Sequence, residues 1–373
     1  MKNKNDKFIF ITITFIVFFF SIILIFTKKV DFSENENRYL EEFPKISMEN
    51  LLSGKVTNGI QKYLNDHFPY REKFLFITTK TEMLLRKKII NDVYLGKDDY
   101  LIAKFDGVDN KEKIIDRINN FKLNNSNKEI EILLIPSSIS INDDKLPKYA
   151  INKNEINEID NIYSKLNIET INVFDTLKEH NKDNEMFYKT DHHWTSYGAY
   201  YSYLEFCKYN QYECTLMNNY NIKKVTDNFN GTLYSKTNKY DNMSDKIYIF
   251  DLKNNNYIVN YVYENLYKTS IFEYSYLDKK DKYSMFLDNN HPLITITNNN
   301  CNNKKEILLV KDSYGNSFSQ FLINDFYKVH IIDLRYYKSS VSKYLNENNN
   351  IDKILLLYNV NTLDDDTGLL NLQ

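Results

Sequence analysis

Two polar clusters, far apart in the chain, carry side chains able to do nucleophilic chemistry. The first is Lys189-Thr190-Asp191-His192-His193-Trp194-Thr195, with two of the six histidines and the only tryptophan. In an extended segment side chains alternate, so Asp191 and His193 are expected to face one way and His192 the other. A carboxylate two residues from an imidazole on the same face can orient it and stabilise its charged form. That is two-thirds of a nucleophilic triad. Trp194, at the start of a helix, is placed either to pack beneath such a site or to stack on a sugar ring. The plainer account is that Asp191 caps the following helix and His193 is an ordinary surface or core histidine. A metal site on Asp191 and the histidines would need further ligands, and His67, His180, His291 and His330 show no metal spacing. No metal is expected.

The second cluster is Ile307-Leu308-Leu309-Val310-Lys311-Asp312-Ser313-Tyr314-Gly315-Asn316-Ser317-Phe318, an apolar strand running through Asp-Ser directly into a helix. Ser313 then falls at a strand's C-terminal end and a helix N-terminus, where backbone N–H groups can stabilise an oxyanion. Ser and Asp are also among the commonest N-caps, so the pair taken alone reads first as a cap. The chain lacks a Gly-x-Ser-x-Gly elbow, which excludes an ordinary α/β-hydrolase. Together the clusters supply nucleophile, base and orienter. Gly231-Thr232, Lys311, Arg335 and Asn359 are further polar positions near expected strand ends or turns, where substrate contact competes with plain solvation.

These residues need a scaffold, and the hydrophobic pattern supplies one. Residues 111–124, 151–166, 196–210, 315–322 and 340–345 read as helices. Residues 130–135, 169–174, 306–310, 328–334 and 353–358 read as short strands. Buried strands separated by helices predict an α/β fold with a mostly parallel sheet and helices on both faces. Between about 215 and 300 the pattern loosens into Asn- and Tyr-rich β segments, read as a β-rich insertion. Upstream, Phe74, Ile77, Thr78, Thr81, Leu84 and Leu85 recur at helical spacing, so residues 27–90 form a helical juxtamembrane region.

Phe8 to Phe26 is an uncharged run, broken only by Thr12, Thr14 and Ser21 and long enough to cross a bilayer. Its exit, Thr27-Lys28-Lys29-Val30-Asp31, has no small-residue cleavage pattern, so an uncleaved anchor over 8–26 is expected. Lys2, Lys4 and Lys7 place residues 1–7 as a cytoplasmic tail and residues 91–373, the α/β domain, outside the cytoplasm. With 48 Lys+Arg against 50 Asp+Glu, the near-neutral balance argues against nucleic acid as a partner. Aromatic residues are abundant, 31 Tyr and 24 Phe, and 42% of residues are hydrophobic, which excludes disorder throughout. Three cysteines, Cys207, Cys214 and Cys301, exclude a disulfide scaffold, and Cys207 and Cys214 are read as free thiols, with a Cys207–Cys214 bridge outside the cytoplasm as the alternative.

The motif Asp191-His192-His193-Trp194 resembles the one that names the DHHW proteins, which are similar to the alginate O-acetyltransferases with an SGNH-hydrolase-like domain. Asn37-Arg38, Asp66-His67-Phe68-Pro69-Tyr70-Arg71, Phe229-Asn230-Gly231-Thr232-Leu233, Lys311-Asp312-Ser313-Tyr314 and Asp333-Leu334-Arg335-Tyr336 look like its other blocks. The resemblance implies a flavodoxin-like SGNH fold with motifs in circularly permuted order, Asp and His before Ser. It implies a triad of Ser313, His193 and Asp191, with Lys311 standing where relatives have Gly. Trp194, Tyr314, Arg335 and Asn359 become the expected substrate contacts. The implied activity is an extracytoplasmic, membrane-anchored O-acetyltransferase that moves acetyl through a Ser ester to a hydroxyl of a cell-surface or secreted polysaccharide. Its donor would be a separate membrane-bound O-acyltransferase, and no cofactor is expected. An acetyl esterase with the same triad, or a non-catalytic glycan-binding or assembly protein of the envelope, are the alternatives.

Overall fold

The computed structural model describes residues 2–27, 29–33, 35–36, 38–239, 243–253, 256–364 and 368–373. Lys28 of the expected membrane exit and Asn37 of the Asn37-Arg38 block lie outside the described residues. The chain divides into two units, residues 1–87 with 235–241, and residues 88–234 with 242–373.

The first unit begins with α1, Lys2–Phe26. Its stretch Lys4–Phe26 is long and apolar enough to cross a membrane. Three helices follow: α2 (Met48–Leu52), α3 (Lys55–Asp66) and α4 (Arg71–Leu84). Asp66, at the end of α3, takes both terminal nitrogens of Arg38, at 2.8 and 2.5 Å, and the Glu41 N–H at 2.8 Å. The Arg38 hydrogen bond, against the opposing pull of burial, holds the Asp66 carboxyl below the usual carboxylate range. Arg71 in turn bonds Glu36 at 3.2 Å. The Arg38 and Asp66–Arg71 blocks thus tie this unit together.

In the second unit the main sheet takes strands β1 (Glu129–Ile135), β2 (Glu169–Thr170), β3 (Tyr257–Tyr261), β4 (Leu266–Lys268), β5 (Leu293–Asn298), β6 (Glu306–Lys311), β7 (Lys328–Ile332) and β8 (Ile351–Asn359). Their order across the sheet is β4-β3-β5-β7-β6-β8-β1-β2. The five strands from β7 to β2 are parallel, and β5, β3 and β4 add an antiparallel edge. Parallel strands must be covered on both faces, which is why β6 carries the unbroken apolar run 307–310 and β8 the run 354–358. Leu309, Leu355 and Leu357 pack on one side with helices Ser196–Asn210 and Tyr314–Asp325. Leu308, Val310, Ile354 and Leu356 pack on the other with helices Lys111–Asn124, Glu155–Tyr163 and Val341–Glu347.

The helix after β6 lies on one face and leads to β7, while the helix after β7 lies on the opposite face and leads to β8. The connections therefore diverge at β6, and the C-terminal ends of β6 and β8 border the kind of crevice where α/β sheets hold ligands. The expected helix 151–166 starts only at Glu155, because the Asn154 side chain caps it through the Asn157 N–H. Strand 169–174 shortens to Glu169–Thr170, and a helix begins at Phe174. Within 215–300, Tyr220–Phe229 and Asp245–Leu252 pair as a separate antiparallel ribbon, whereas β3, β4 and β5 belong to the main sheet.

Candidate active site

Ser313 sits at the end of β6, as its N-cap position before helix Tyr314–Asp325 suggested, but its hydroxyl does not cap that helix. Asp312 does so instead: its Oδ1 accepts the Tyr314 N–H at 2.9 Å. Its Oδ2 accepts the Asn359 N–H and the Thr362 hydroxyl, both at 2.8 Å, and so ties the end of β6 to the end of β8. Burial raises the Asp312 carboxyl, and these hydrogen bonds oppose the rise. With capping done by its neighbour, the Ser313 Oγ is left for His193 Nε2, 2.7 Å away. The Ser313 backbone N–H has no protein acceptor among the described residues.

On the other side of the imidazole, His193 Nδ1 lies 2.6 Å from Asp191 Oδ1, which also accepts the His193 backbone N–H at 3.0 Å. That second bond closes a local turn of the kind Asp forms with the residue two positions on. It explains why residues 189–193 follow bends rather than the expected extended course. Strand alternation accordingly fails: His192 is not on the far side but packs against His193, ring centroids 3.9 Å apart, with its Nδ1 2.6 Å from Thr232 Oγ1. Nor does Asp191 cap the next helix, since Thr195 Oγ1 takes that place through the Gly198 N–H.

The remaining Asp191 oxygen is held by Gly231-Thr232. The Thr232 N–H and hydroxyl donate to Oδ2 at 2.7 and 3.0 Å. Burial alone would raise this carboxyl, but the adjacent His192 and His193 and the hydrogen bonds from His193 and Thr232 more than reverse it. Asp191 therefore lies far below the usual carboxylate range. Gly231 approaches so closely that an added Cβ would fall 2.2 Å from both Cβ and Oδ2 of Asp191. Gly231→Ala is therefore expected to push the carboxylate aside and to destabilise the fold by about 1–3 kcal/mol. Chemical denaturation beside the parent protein checks it, and an unchanged midpoint would contradict this packing.

Asp191, His192 and His193 each offer a ligand atom within 4.8 Å of the others. Asp191 Oδ1 and His193 Nδ1, however, stand at a hydrogen-bond separation of 2.6 Å, shorter than the roughly 3.3 Å between two ligands of a tetrahedral ion with bonds of about 2.0 Å.

Of the expected substrate contacts, three are enclosed. Trp194 is fully buried beneath the site, and its indole N–H donates to the Tyr314 carbonyl at 3.1 Å and to Ser317 Oγ at 2.9 Å. A sugar ring has no access to it there. Tyr314 is buried with its hydroxyl on the His192 carbonyl. Asn359 is buried with its side-chain N–H on the Ile135 carbonyl at 3.0 Å. Only Arg335 reaches solvent, and its guanidinium bonds Asp333 at 2.8 and 2.6 Å. The buried Lys311 ammonium joins it, 3.0 Å from Asp333 Oδ2 and 2.6 Å from Asn316 Oδ1. Tyr283 escaped the sequence reading. Its ring stacks on His193 at 3.8 Å and its hydroxyl donates to the Ser313 carbonyl at 3.1 Å. No spacing links residue 283 to either cluster; only the fold does.

A doubly covered, largely parallel sheet with Ser313, His193 and Asp191 joined by hydrogen bonds beside the end of β6 defines the molecule as an α/β protein. The chain belongs to the DHHW family: the model described as "DHHW protein" matches residues 111–332, more than half of it. Among solved structures it is similar to a DHHW family protein from Eubacterium siraeum, with 22% identity and a TM-score of 0.66 over 76% of this chain and 96% of that one. It is also similar to Bacillus cereus PatB1 with a sulfonyl adduct, with 22% identity and a TM-score of 0.61 over 75% and 98%. The O-acetyltransferase domain of Pseudomonas putida AlgJ is a fainter likeness, at 13% identity and a TM-score of 0.46 over 73% and 92%. No curated protein matches the chain.

Proposed function

We propose that this chain is an extracytoplasmic O-acetyltransferase, anchored by α1, that acetylates a hydroxyl of an envelope or secreted polysaccharide. The observation that carries the reading is the unbroken chain from Ser313 Oγ through both nitrogens of His193 to Asp191, at 2.7 and 2.6 Å. Acetyl as the group and a glycan as the acceptor follow from the family resemblance. In the first half, His193 Nε2 takes the Ser313 proton as Oγ attacks the donor's acetyl carbonyl. The Ser313 N–H faces the developing oxyanion. The donor's oxygen leaves with the proton from His193, and acetyl stays on Ser313. In the second half a sugar hydroxyl gives its proton to His193 and attacks that ester. Ser313 regains the proton, and the acetylated glycan departs. Asp191 stays ionised and fixes the ring through Nδ1. Trp194, Tyr314 and Asn359 serve as positioning residues. A separate membrane-bound O-acyltransferase would hand over the acetyl group.

The full chain in detergent, given an activated acetyl ester, is expected to yield acetyl on Ser313, read by peptide mass spectrometry. Added oligosaccharide should then discharge it as acetylated sugar. Acetate as the sole product in the presence of acceptor would make the protein an esterase instead. A folded protein with no acetyl on Ser313 would end both readings.

A further inference from the structure

One face of α4 has no part in the proposed chemistry. Phe74, Ile77, Leu84 and Leu85 are all exposed, the two leucines by 84% and 78%. Their spacing of three and seven residues sets Phe74, Ile77 and Leu84 along one side of the helix, with exposed Thr78 and Thr81 between them. The opposite side is the one that packs: Thr79 is buried and its hydroxyl donates to the Thr237 carbonyl at 3.0 Å. A helix with one apolar face left to solvent belongs to an interface.

The occupant is indicated by α1. Phe20 stacks on Phe68 at 5.1 Å between ring centroids and meets Phe74 edge-on at 6.1 Å. Phe20 lies six residues before the end of α1 at Phe26, or about 9 Å along the axis. The uncharged run from Phe8 to Phe26 is barely as long as a bilayer core is thick. Lifting Phe20 into water would draw Lys7 into hydrocarbon at the other end. With α1 spanning the bilayer, Phe68 and Phe74 would therefore lie within about 9 Å of the core's edge, on its acyl side, and α4 starts from that level with its apolar face open. Lys73 and Lys80, and then Arg86, Lys87 and Lys88 just past its end, outnumber Glu72 and Glu82. Such a basic excess is what an anionic lipid surface attracts.

We propose that α4 lies in the bilayer interface on the side where α1 emerges, with Phe74, Ile77, Leu84 and Leu85 against acyl chains and the basic residues among anionic headgroups. The inference rests on α1 being a retained membrane anchor, and the test separates the two. The full chain is reconstituted in vesicles of brominated phosphatidylcholine and phosphatidylglycerol, which quench nearby tryptophan fluorescence. Trp194, fully buried and the only native tryptophan, supplies a constant background. Phe18→Trp reports the anchor; Ile77→Trp and Leu84→Trp report α4. All three are expected to be quenched to a similar extent, with the Trp194 background unchanged. An unquenched Phe18→Trp would remove the anchor and this inference with it. A quenched Phe18→Trp beside unquenched Ile77→Trp and Leu84→Trp would overturn the inference alone and assign the face to a protein partner or a second copy.

Discussion

Ser313→Ala is expected to lower turnover of an activated acetyl ester by about three to six orders of magnitude with little change in stability. The reason for the small structural cost is specific. The Ser313 hydroxyl neither caps its helix nor fills a core position; its hydrogen bond is to His193 Nε2. Asp312 keeps the helix start and the β6–β8 link whether or not that hydroxyl is present. His193→Gln is expected to cost as much activity but more stability, because the buried imidazole also stacks on Tyr283. Residues that act as one unit do not add, so the double variant should be no slower than either single one. Turnover and thermal melting of the three proteins decide the matter. Near-parental acetylation in folded Ser313→Ala would refute the nucleophile outright.

How much of this could be read from the sequence follows from what is local. The parallel core was legible, since β6 and β8 each hold a continuous apolar run and helices Lys111–Asn124 and Ser196–Asn210 fall where their periodicity put them. Ser313 and the Asp-x-His pair were legible as residue types beside a strand end and a helix start. What resisted was the competition between capping and chemistry. Asp312 and Thr195 both take the capping duties, and no local rule says which of two adjacent cap-formers will do so. The strand alternation assigned to residues 191–193 failed because the Asp191 side chain bonds its own backbone two residues on, which bends the chain. Of the two places open to Trp194 the structure takes the packed one, and the expected substrate contacts at Tyr314 and Asn359 are enclosed for a related reason. Polar or aromatic residues near a site can as readily form its floor, and burial is a property of the assembled sheet and helices. Tyr283 reaches the site from a separate segment that only tertiary structure brings there, and Thr232, singled out in the sequence as a possible substrate contact, holds Asp191 instead.

Asp191→Asn tests the orienting group without removing its shape. Acetyl-ester turnover is expected to fall about a thousand- to ten-thousand-fold. An asparagine amide can turn either way, and each way is costly. With its NH2 toward His193, the ring must accept at Nδ1 and carries its proton on Nε2, facing Ser313, where it can no longer act as a base. The His193 backbone N–H, which now donates to Oδ1, also loses its acceptor. With the NH2 toward Thr232, the tautomer survives, but the Thr232 N–H is orphaned and the charge that stabilises the imidazolium is gone. Either orphaned donor costs about 1–3 kcal/mol of stability. That cost has a pH signature of known sign. The Asp191 carboxyl is depressed in the folded protein, so its contribution is fully present above the ordinary carboxylate pKa near 4 and is lost as pH falls below it. The stability gap between parent and variant is therefore expected to be widest near neutrality and to narrow below about pH 4. Denaturant unfolding of both proteins at pH 7 and pH 3 reads it directly. A gap that widens in acid would mean that Asp191 is not held as an anion by His193 and Thr232, and the orienting role would fall with it.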